Sequence, residues 1–308
     1  SQSVSDIYVN YSVTETNDHY SFIDFDDSLV LWMMMDEVNG SGDPYDNSSY
    51  GNDGIAVGGA VQNSSGKFGK GFSFDGSGDY VDFGDSSSLN ITEKEITLSA
   101  WIYRKDTSNG IIIRKRPSGT AGYQMFIETT VKFHAGSQTS LSATAPAINE
   151  WHHVAAVANG TDHIIYVDGV FSNSVSSTVN VVSSSGTDGR IGAIPGSGYD
   201  FNGSIDDVII FNRSLSAEEI TALYNATKTY HNFTSQSDGT HNITAFAVDA
   251  AGNVNLTRRR QVTLDSSAPT ISIEYPVNNT NTSDSGIDVN YTVSEFTGSC
   301  WYSNDTML

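Results

Sequence analysis

A nine-residue segment near one end of the chain returns almost unchanged near the other end. Residues 7–15 read Ile-Tyr-Val-Asn-Tyr-Ser-Val-Thr-Glu and residues 287–295 read Ile-Asp-Val-Asn-Tyr-Thr-Val-Ser-Glu, so six of nine positions are identical. An internal repeat constrains the architecture before any single motif does. It predicts that the two segments, 280 residues apart, are equivalent parts of the same kind of β domain. Chance similarity between two Ser/Thr-rich segments is the alternative.

The composition favours strands over helices. Hydrophobic residues make up 38% of the 308 residues, below the usual value of about 45–50%. Ser, Thr, Asn, Asp and Gly fill the difference, and they suit short strands joined by turns. Short apolar segments recur between residues 71 and 211 at intervals of about 8–12 residues, which is typical of sandwiches and jelly rolls. A chain of this length allows about two domains.

The chain is strongly acidic, with a net charge of −21. Nucleic acid is therefore excluded as a partner, because phosphate binding needs a basic surface. We expect the two basic runs, residues 114–116 and 258–260, to be solvated. No run of 18 apolar residues is present, so the sequence predicts no membrane span. The single cysteine, Cys300, is either a buried apolar side chain or half of a disulfide.

Acceptor motifs for N-glycosylation are dense along the whole chain. The motif Asn-x-Ser/Thr marks surface positions of secreted proteins that meet glycosyltransferases. Its density predicts an extracellular, cell-surface glycoprotein, with compositional bias as the alternative. The motif begins at Asn10, Asn39, Asn47, Asn63, Asn90, Asn159, Asn202, Asn212, Asn225, Asn232, Asn242, Asn255, Asn278, Asn281, Asn290 and Asn304.

One short helix is predicted after the last strand of the central region. Ser216 and Glu219 have the spacing of a capping box, and Ile220, Leu223 and Tyr224 supply an apolar stripe. From residue 227 the pattern changes, with a predicted hairpin whose second strand spans residues 254–264.

The central region resembles the concanavalin A-like, laminin-G-like jelly roll. The resemblance rests on the order of several segments, followed by the predicted helix: residues 74–81 (Phe-Asp-Gly-Ser-Gly-Asp-Tyr-Val), 96–102 (Ile-Thr-Leu-Ser-Ala-Trp-Ile), 151–154 (Trp-His-His-Val), 166–169 (Tyr-Val-Asp-Gly) and 203–208 (Gly-Ser-Ile-Asp-Asp-Val). It covers about residues 25–226. It implies that Trp101 and Trp151 are core aromatics and that Asp168 and Gly169 form a hairpin turn.

Residues 238–254 resemble the last strands of bacterial and archaeal Ig-like surface domains, and residues 265–269 match their usual linker. Two strands cannot form a sandwich, so we expect the N-terminal strand to complete it. The predicted fold class is therefore all-β, with a laminin-G-like jelly-roll sandwich inserted in or flanked by Ig-like β-sandwich domains. The predicted division assigns 1–24 and 227–267 to one Ig-like domain, 25–226 to the jelly roll, and 268–308 to the start of a second, truncated Ig-like domain.

Calcium is the cofactor that the sequence favours, in a structural role. Asp46 and Asn52 lie in a loop rich in oxygen ligands around a Gly turn, and Ca²⁺ takes about 6–8 oxygens. The family resemblance implies that the first and last strands are neighbours, so Asp206 or Asp207 could reach that loop. The alternative is that Asp46 and Asn52 only hydrogen-bond their own turn.

Catalysis has little support in the sequence. The Glu-x-Asp-x-x-Glu strand of related jelly-roll hydrolases is absent, and adjacent His152 and His153 would face opposite sides of a strand. Glycan binding through exposed aromatics is the more plausible activity. Tyr199 and Asp200, in a predicted rim loop, are the first candidates, and the other aromatic candidates are Tyr103, Tyr123 and Phe126.

The sequence thus predicts a non-enzymatic surface module for adhesion or recognition, with a glycan or a surface protein as partner. An alternative is a structural subunit of an S-layer or extracellular filament, assembled when strands of neighbouring units complete one another. A third interpretation is an accessory module of a larger hydrolase.

Overall fold

The structure is a computed structural model. It describes residues 5–15, 17–117, 121–137, 141–181, 186–225, 229–265, 267, 270–278, 281, 283 and 289–294. Cys300 and Asn304 lie outside these residues, so the predictions made for them have no structural counterpart here. Within the described part of the chain, no helix is both long and apolar enough to cross a membrane.

Nearly all regular secondary structure in the described residues is β-strand. In chain order the strands are β1 (Ile7–Tyr11), β2 (His19–Phe25), β3 (Leu29–Met33), β4 (Ile55–Val57), β5 (Val61–Asn63), β6 (Gly71–Asp75), β7 (Tyr80–Gly84), β8 (Glu95–Arg104), β9 (Gly110–Lys115), β10 (Tyr123–Ile127), β11 (Thr130–Ala135), β12 (Leu141–Thr144), β13 (Trp151–Asn159), β14 (Asp162–Val167), β15 (Val170–Ser176), β16 (Gly189–Ile194), β17 (Tyr199–Asp200), β18 (Asn202–Phe211), β19 (Thr229–Phe233), β20 (Gly239–Asp249), β21 (Val254–Leu256), β22 (Arg260–Leu264), β23 (Ile271–Tyr275) and β24 (Asn290–Val293). The α-helix α1 is Ala217–Tyr224, and a 3₁₀ turn spans Ser87–Leu89.

Strands β3 to β18 form a jelly roll of two packed antiparallel sheets. The first sheet has the order β12-β11-β10-β9-β16-β7-β4, with β17 beside β16. The second has the order β15-β14-β13-β8-β18-β6-β5, with β3 beside β18. Side chains alternate between faces along a strand, so every second residue of each sheet points inward. The core between the sheets contains Leu31, Ile102, Met125, Phe133 and Ile205.

A smaller β unit is built from both flanks of the jelly roll. Strand β1 pairs with β19, and β2 pairs with β20, which also carries β21 and β22. Ile7, Ile23, Phe25, Phe233 and Ile243 form its core. The chain therefore leaves this unit after β2, forms the jelly roll, and returns to it at β19.

Strand β2 has a core on each face. Ile23 and Phe25 belong to the core of the smaller unit, whereas Tyr20 and Phe22 pack in a second cluster with Trp32. Phe22 meets the Trp32 ring edge-on at 5.1 Å. One strand thus belongs to both units and holds them together.

Helix α1 closes the outer side of the jelly roll. The predicted capping box is present: Ser216 Oγ accepts from Glu219 N at 3.2 Å, and Glu219 Oε2 accepts from Ser216 N at 3.0 Å. Ile220 and Leu223 are buried in the cluster that includes Trp101. The helix has only eight residues, so this docking stabilises it more than its intrinsic propensity does.

Two local predictions were wrong. The predicted strand over residues 254–264 is two short strands, β21 and β22, because Thr257 Oγ1 accepts from Ala245 N at 3.0 Å and so ends the regular ladder. The basic run at 114–116 is not solvated: the Lys115 side chain is 0% exposed and forms an ion pair with Asp85. The second run, residues 258–260, is exposed as expected.

Strands β23 and β24 form a separate antiparallel hairpin. Ile271 pairs with Val293 and Ile273 with Tyr291. All residues of β23 are exposed.

Candidate ligand-binding cleft

The outer face of the first sheet presents an organised set of polar and aromatic side chains. Strands β10 and β11 place Met125 and Phe133 in the core. Because side chains alternate, the neighbouring residues Gln124, Lys132 and His134 point to the other face. The sequence alternation Val-Lys-Phe-His over 131–134 could have shown this for β11, although it does not mark a ligand site by itself.

These outward side chains border a cleft of about 330 Å³. Volumes of about 300 Å³ and above are usual for small-molecule sites. The cleft is lined by Ile111, Arg114, Gln124, Phe126, Glu128, Lys132, His134, Ile194 and Tyr199.

A hydrogen-bonded relay crosses the floor of the cleft. An Nη1 proton of Arg114 is donated to Gln124 Oε1, which leaves the Gln124 amide nitrogen facing His134 Nδ1 at 3.2 Å. An amide nitrogen can only donate, so His134 Nδ1 accepts and its proton lies on Nε2. His134 Nε2 is buried and has no protein hydrogen-bond partner among the described residues. The relay therefore leaves one buried N–H donor without a protein acceptor in the described structure.

Glu128 organises the opposite side of the cleft. Its Oε2 accepts from Lys132 Nζ at 2.5 Å, and its Oε1 accepts from Tyr199 Oη at 2.8 Å. The Lys132 ammonium lowers the pKa of Glu128, with a smaller contribution from Tyr199, and the same bond raises the pKa of Tyr199. Glu128 is thus an ionised group whose charge Lys132 already balances.

Arg114 is the cation of the cleft without a carboxylate partner. Its residue is half-buried, and no ion pair joins it to an acid within the described part of the chain. Burial, with smaller contributions from the nearby guanidinium groups of Arg116 and Arg190, lowers its pKa to about 10. His134 is neutral at pH 7, because burial, with smaller contributions from Arg116, Lys132 and Arg114, lowers its pKa to about 4.

Tyr199 and Asp200, the two residues predicted to bind a glycan, have different surroundings in the structure. Tyr199 lines the cleft, and its ring lies edge-on to Phe126 at 5.9 Å. Asp200 does not line the cleft, and its Oδ1 is buried without a hydrogen-bond partner in the described region. Among the other aromatics, Tyr123 is fully buried and Tyr103 lies in the second sheet.

The loop predicted to bind calcium is closed by its own hydrogen bonds. Asp46 Oδ1 accepts from Trp32 N at 2.8 Å and from Ser48 N at 2.9 Å, and its Oδ2 accepts from Asn52 N at 2.7 Å. The Asn52 amide donates to Val30 O at 2.8 Å. Asp46 and Asn52 therefore bond both within their own turn and to strand β3.

Asp206 and Asp207 lie at a bulge of β18, next to a different loop. Asp206 Oδ2 accepts from Lys67 N at 2.7 Å and from Phe68 N at 3.1 Å. Asp207 has a positive φ of 45°, and its Oδ1 accepts from Tyr20 Oη at 2.5 Å. Burial raises the pKa of each carboxyl well above its ordinary value. Asp207 Oδ2 is buried and has no described protein partner.

The four predicted calcium ligands therefore form two pairs with different surroundings: Asp46 and Asn52 bond to each other in one loop, and Asp206 and Asp207 lie beside another. No group of three or more His, Cys, Asp or Glu residues in the described ranges is placed to hold a metal ion. Among the oxygens of these four residues, Asp207 Oδ2 is buried and has no hydrogen-bond partner in the described structure. Calcium binding stays a prediction.

Comparison with known proteins agrees with this architecture. Residues 75–221 match the family model described as the concanavalin A-like lectin/glucanases superfamily. No curated protein matches the sequence. The predicted all-β fold with a jelly roll is confirmed, and residues 75–221 have the concanavalin A-like, laminin-G-like jelly-roll fold.

Three solved structures illustrate the similarity. The binding domain of Paraclostridial mosquitocidal protein 1 has a TM-score of 0.55 at 14% identity, with 65% of this chain and 52% of that chain covered. Domain 4 of AbnA, an extracellular arabinanase from Geobacillus stearothermophilus in complex with arabinotriose, has a TM-score of 0.50 at 17% identity, covering 64% and 98%. The botulinum neurotoxin serotype D binding domain has a TM-score of 0.51 at 18% identity, covering 65% and 52%. At these identities the similarity shows the fold, and the match spans about half the length of both toxin domains.

Proposed function

We propose that this chain is a non-catalytic recognition module of an extracellular surface glycoprotein, and that its cleft binds a glycan bearing a carboxylate. The observation that carries the proposal is the half-buried guanidinium of Arg114, which has no acidic partner in the described structure. Buried charges in proteins are normally paired, so an unpaired one favours an anionic ligand.

The surrounding groups suit an acidic sugar. The planar guanidinium matches the two oxygens of a carboxylate. Tyr199 offers a ring at the rim of the cleft, beside Phe126. Glu128 does not repel the ligand strongly, since Lys132 balances its charge.

The similar structures support recognition rather than catalysis. The two toxin structures are binding domains, and the arabinanase domain was determined in complex with arabinotriose. These activities belong to those proteins, and they show that the same fold presents binding surfaces elsewhere.

Titration calorimetry with two oligosaccharides tests the cleft. We expect an oligosaccharide containing glucuronate to bind more tightly than a neutral one of equal length. Arg114→Gln should weaken acidic-sugar binding by at least tenfold, whereas Arg114→Lys should retain part of it. Arg258→Gln, which removes an exposed basic residue outside the cleft, is the matched control. Equal binding of acidic and neutral sugars, or an unaffected Arg114→Gln variant, would contradict the proposal.

We also propose that the smaller β unit is an Ig-like domain interrupted by the jelly roll. The pairing of β1 with β19 and of β2 with β20 supports this, since each ladder joins the two predicted parts, 1–24 and 227–267. The exposed hairpin of β23 and β24 would then open the next such domain at 268–308.

A second candidate function is a structural subunit of an S-layer or filament, assembled by strand complementation. The observation that favours it is a groove of about 380 Å³ in the smaller unit, between residues 11–15 and the β20–β21 hairpin. Light scattering over a concentration series tests this function: assembly without any added ligand is the expected result, and a concentration-independent monomer would contradict it.

A further inference from the structure

The three residues of the relay lie side by side on neighbouring strands. The ladder of β9 and β10 places Arg114 opposite Gln124, and the ladder of β10 and β11 places Gln124 opposite His134. Side chains directly opposite one another on a sheet face are close enough to contact. Gln124 therefore hydrogen-bonds on one side to the unpaired cation of the cleft and on the other side to the imidazole.

Arg114 sets the direction of every hydrogen bond in the relay. A guanidinium has no acceptor atom, so Gln124 must turn its carbonyl oxygen to Arg114 and its amide nitrogen to His134. The opposite orientation of Gln124 would place two donors face to face at Arg114. The relay thus has one consistent set of hydrogen bonds, and this set requires a neutral His134 with its proton on Nε2.

This arrangement leaves a buried N–H group unsatisfied. The Nε2 atom of His134 is buried without a hydrogen-bond partner in the described structure. An unpaired buried donor destabilises a protein, so its presence in a folded chain calls for an explanation. Moving the proton to Nδ1 would not remove the cost, because Nδ1 would then face the amide nitrogen of Gln124. The unsatisfied N–H follows from holding Gln124 in the orientation that binds Arg114.

We propose that Gln124 is the positioning residue of the cleft, and that protonation of His134 disrupts the relay and weakens ligand binding in acid. The inference rests on the proposed function and adds a regulation of the same site. The carbonyl oxygen of Gln124 is the described hydrogen-bond acceptor of the Arg114 guanidinium, and it orients the remaining N–H donors. A planar guanidinium reaches both oxygens of a carboxylate only when it is correctly oriented.

Protonation of His134 makes the relay inconsistent. With a proton on each ring nitrogen, Nδ1 donates, and the amide nitrogen of Gln124 that faces it donates as well. Gln124 then either turns its carbonyl oxygen to the imidazolium or keeps its bond to Arg114 and faces a second donor. In both cases one hydrogen bond of the relay is lost.

The groups around His134 decide the pH at which this happens. Burial of His134, with smaller contributions from Arg116, Lys132 and Arg114, lowers its pKa to about 4, and Glu128 acts in the opposite direction. The two arginines approach from the side of β9, Lys132 lies on the same strand as His134, and Glu128 lies between β10 and β11. The relay is therefore intact at neutral pH and is disrupted in strongly acidic surroundings.

Substitution of Gln124 tests the positioning role by titration calorimetry with the glucuronate oligosaccharide. The side chain of Gln124→Met has a similar length but cannot accept from Arg114, so we expect the Kd to rise about tenfold at pH 7. In Gln124→Glu the carboxylate pairs with Arg114, which should remove the preference for the acidic oligosaccharide over the neutral one. Gln261→Met, on strand β22, is the matched control and should bind like the unsubstituted chain. Unchanged binding by Gln124→Met would overturn the positioning role.

The pH profile separates the relay from simple charge attraction. His134→Asn keeps an acceptor oxygen near the position of Nδ1 and does not titrate. The ratio of its affinity to that of the unsubstituted chain cancels the titration of the sugar carboxylate and of the other protein groups. We expect a ratio near one at pH 7 and about ten at pH 3, one unit below the pKa of His134. A constant ratio, or tighter binding by the unsubstituted chain at pH 3, would overturn the inference, since an imidazolium that acts only by its charge attracts the anion.

The outcomes distinguish this inference from the function on which it rests. Weaker binding by Arg114→Gln, with unchanged binding by Gln124→Met and a constant affinity ratio, would leave the proposed function standing and overturn the inference. No binding by the unsubstituted chain would overturn both. Nitrogen NMR of the imidazole tests the relay without a ligand. The proton of His134 should be on Nε2 at pH 7, and a proton on Nδ1 would contradict the relay.

Discussion

Arg213 and Glu219 form a bidentate ion pair. Arg213 Nη1 donates to Glu219 Oε2 at 3.0 Å, and Nη2 donates to Glu219 Oε1 at 2.7 Å. The same Nη2 also donates to Ile23 O at 2.9 Å. The guanidinium therefore joins the last strand of the jelly roll, the start of α1 and strand β2 of the smaller unit.

Replacing this guanidinium should destabilise the whole chain. Glu219 is buried, and the ammonium of Arg213→Lys cannot form the bidentate pair with it while also donating to Ile23 O. We expect a loss of about 1–3 kcal/mol in the free energy of unfolding, measured by urea denaturation. Arg259→Lys is the control, because the Arg259–Asp27 pair is 49% and 37% exposed and should change stability by less than about 0.5 kcal/mol. Equal effects of the two substitutions would contradict this role.

His163 should make stability fall as pH falls below neutrality. It is 1% exposed, and burial lowers its pKa to about 4, whereas the unfolded side chain titrates near the ordinary value of about 6.5. Between these values the unfolded chain binds the extra proton, so stability decreases by about 1.4 kcal/mol per pH unit for one such group. His163→Leu should flatten the slope of unfolding free energy against pH by up to this amount between pH 6.5 and 4.

His241 supplies the control of opposite sign. The hydrogen bond to Asp26 raises its pKa above the ordinary value, with a smaller contribution from Ser237 O. Its stabilisation is complete below about pH 6.5 and is lost as the pH rises through the folded value. His241→Gln should therefore alter the slope above pH 6.5 and leave the acid range unchanged. A change confined to the acid range would contradict this assignment.

Substitution of Asp207 is the most direct test of the predicted calcium site. Burial raises its pKa well above the ordinary value, so its contribution to stability is complete below about pH 4 and is lost as the pH rises. Asp207→Asn should make unfolding less dependent on pH above 4. Added Ca²⁺ should raise the unfolding temperature of the unsubstituted chain by several degrees and that of Asp207→Asn by less. Glu274→Gln, at an exposed strand position, is the control and should respond to Ca²⁺ like the unsubstituted chain. Equal shifts of the unfolding temperature in the unsubstituted chain, Asp207→Asn and Glu274→Gln would contradict the calcium prediction.

The predicted glycans should be distributed by side-chain availability. The amide nitrogen of Asn202 donates to Asp106 Oδ2 at 2.6 Å, and that of Asn63 donates to Ser73 Oγ at 2.7 Å. A glycan on either nitrogen would break these bonds. Asn47 and Asn212 are exposed. We therefore expect mass spectrometry of glycopeptides from native material to find glycans on Asn47 and Asn212 and none on Asn63 and Asn202. The reverse pattern would contradict the described packing.

Sequence patterns predicted the elements that expose one face to water and bury the other. The alternation in β11 and β20 and the capping box of α1 were readable, because each of these elements has a polar side and an apolar side. Strand β2 was missed because both of its faces are buried. The residues Tyr20 and Phe22 enter one core and Ile23 and Phe25 enter another, so the segment shows no polar alternation.

The cleft was harder to predict because tertiary pairing defines it. Tyr199 was predicted from its loop, whereas Arg114, Gln124 and His134 gave no local signal of ligand binding. Their arrangement depends on strand registers between β9, β10 and β11. The burial of Lys115 was missed for the same reason, since its partner Asp85 lies 30 residues away in sequence.

The route of the chain through the two units also decides how the protein responds to force. Asn212 N donates to Ser28 O at 2.9 Å, so the jelly roll begins and ends at neighbouring points. Tension applied between residues 5 and 265 is borne by the β1–β19 and β2–β20 ladders and bypasses the jelly roll. Under load the smaller unit yields first, and the cleft keeps its shape until those ladders have separated.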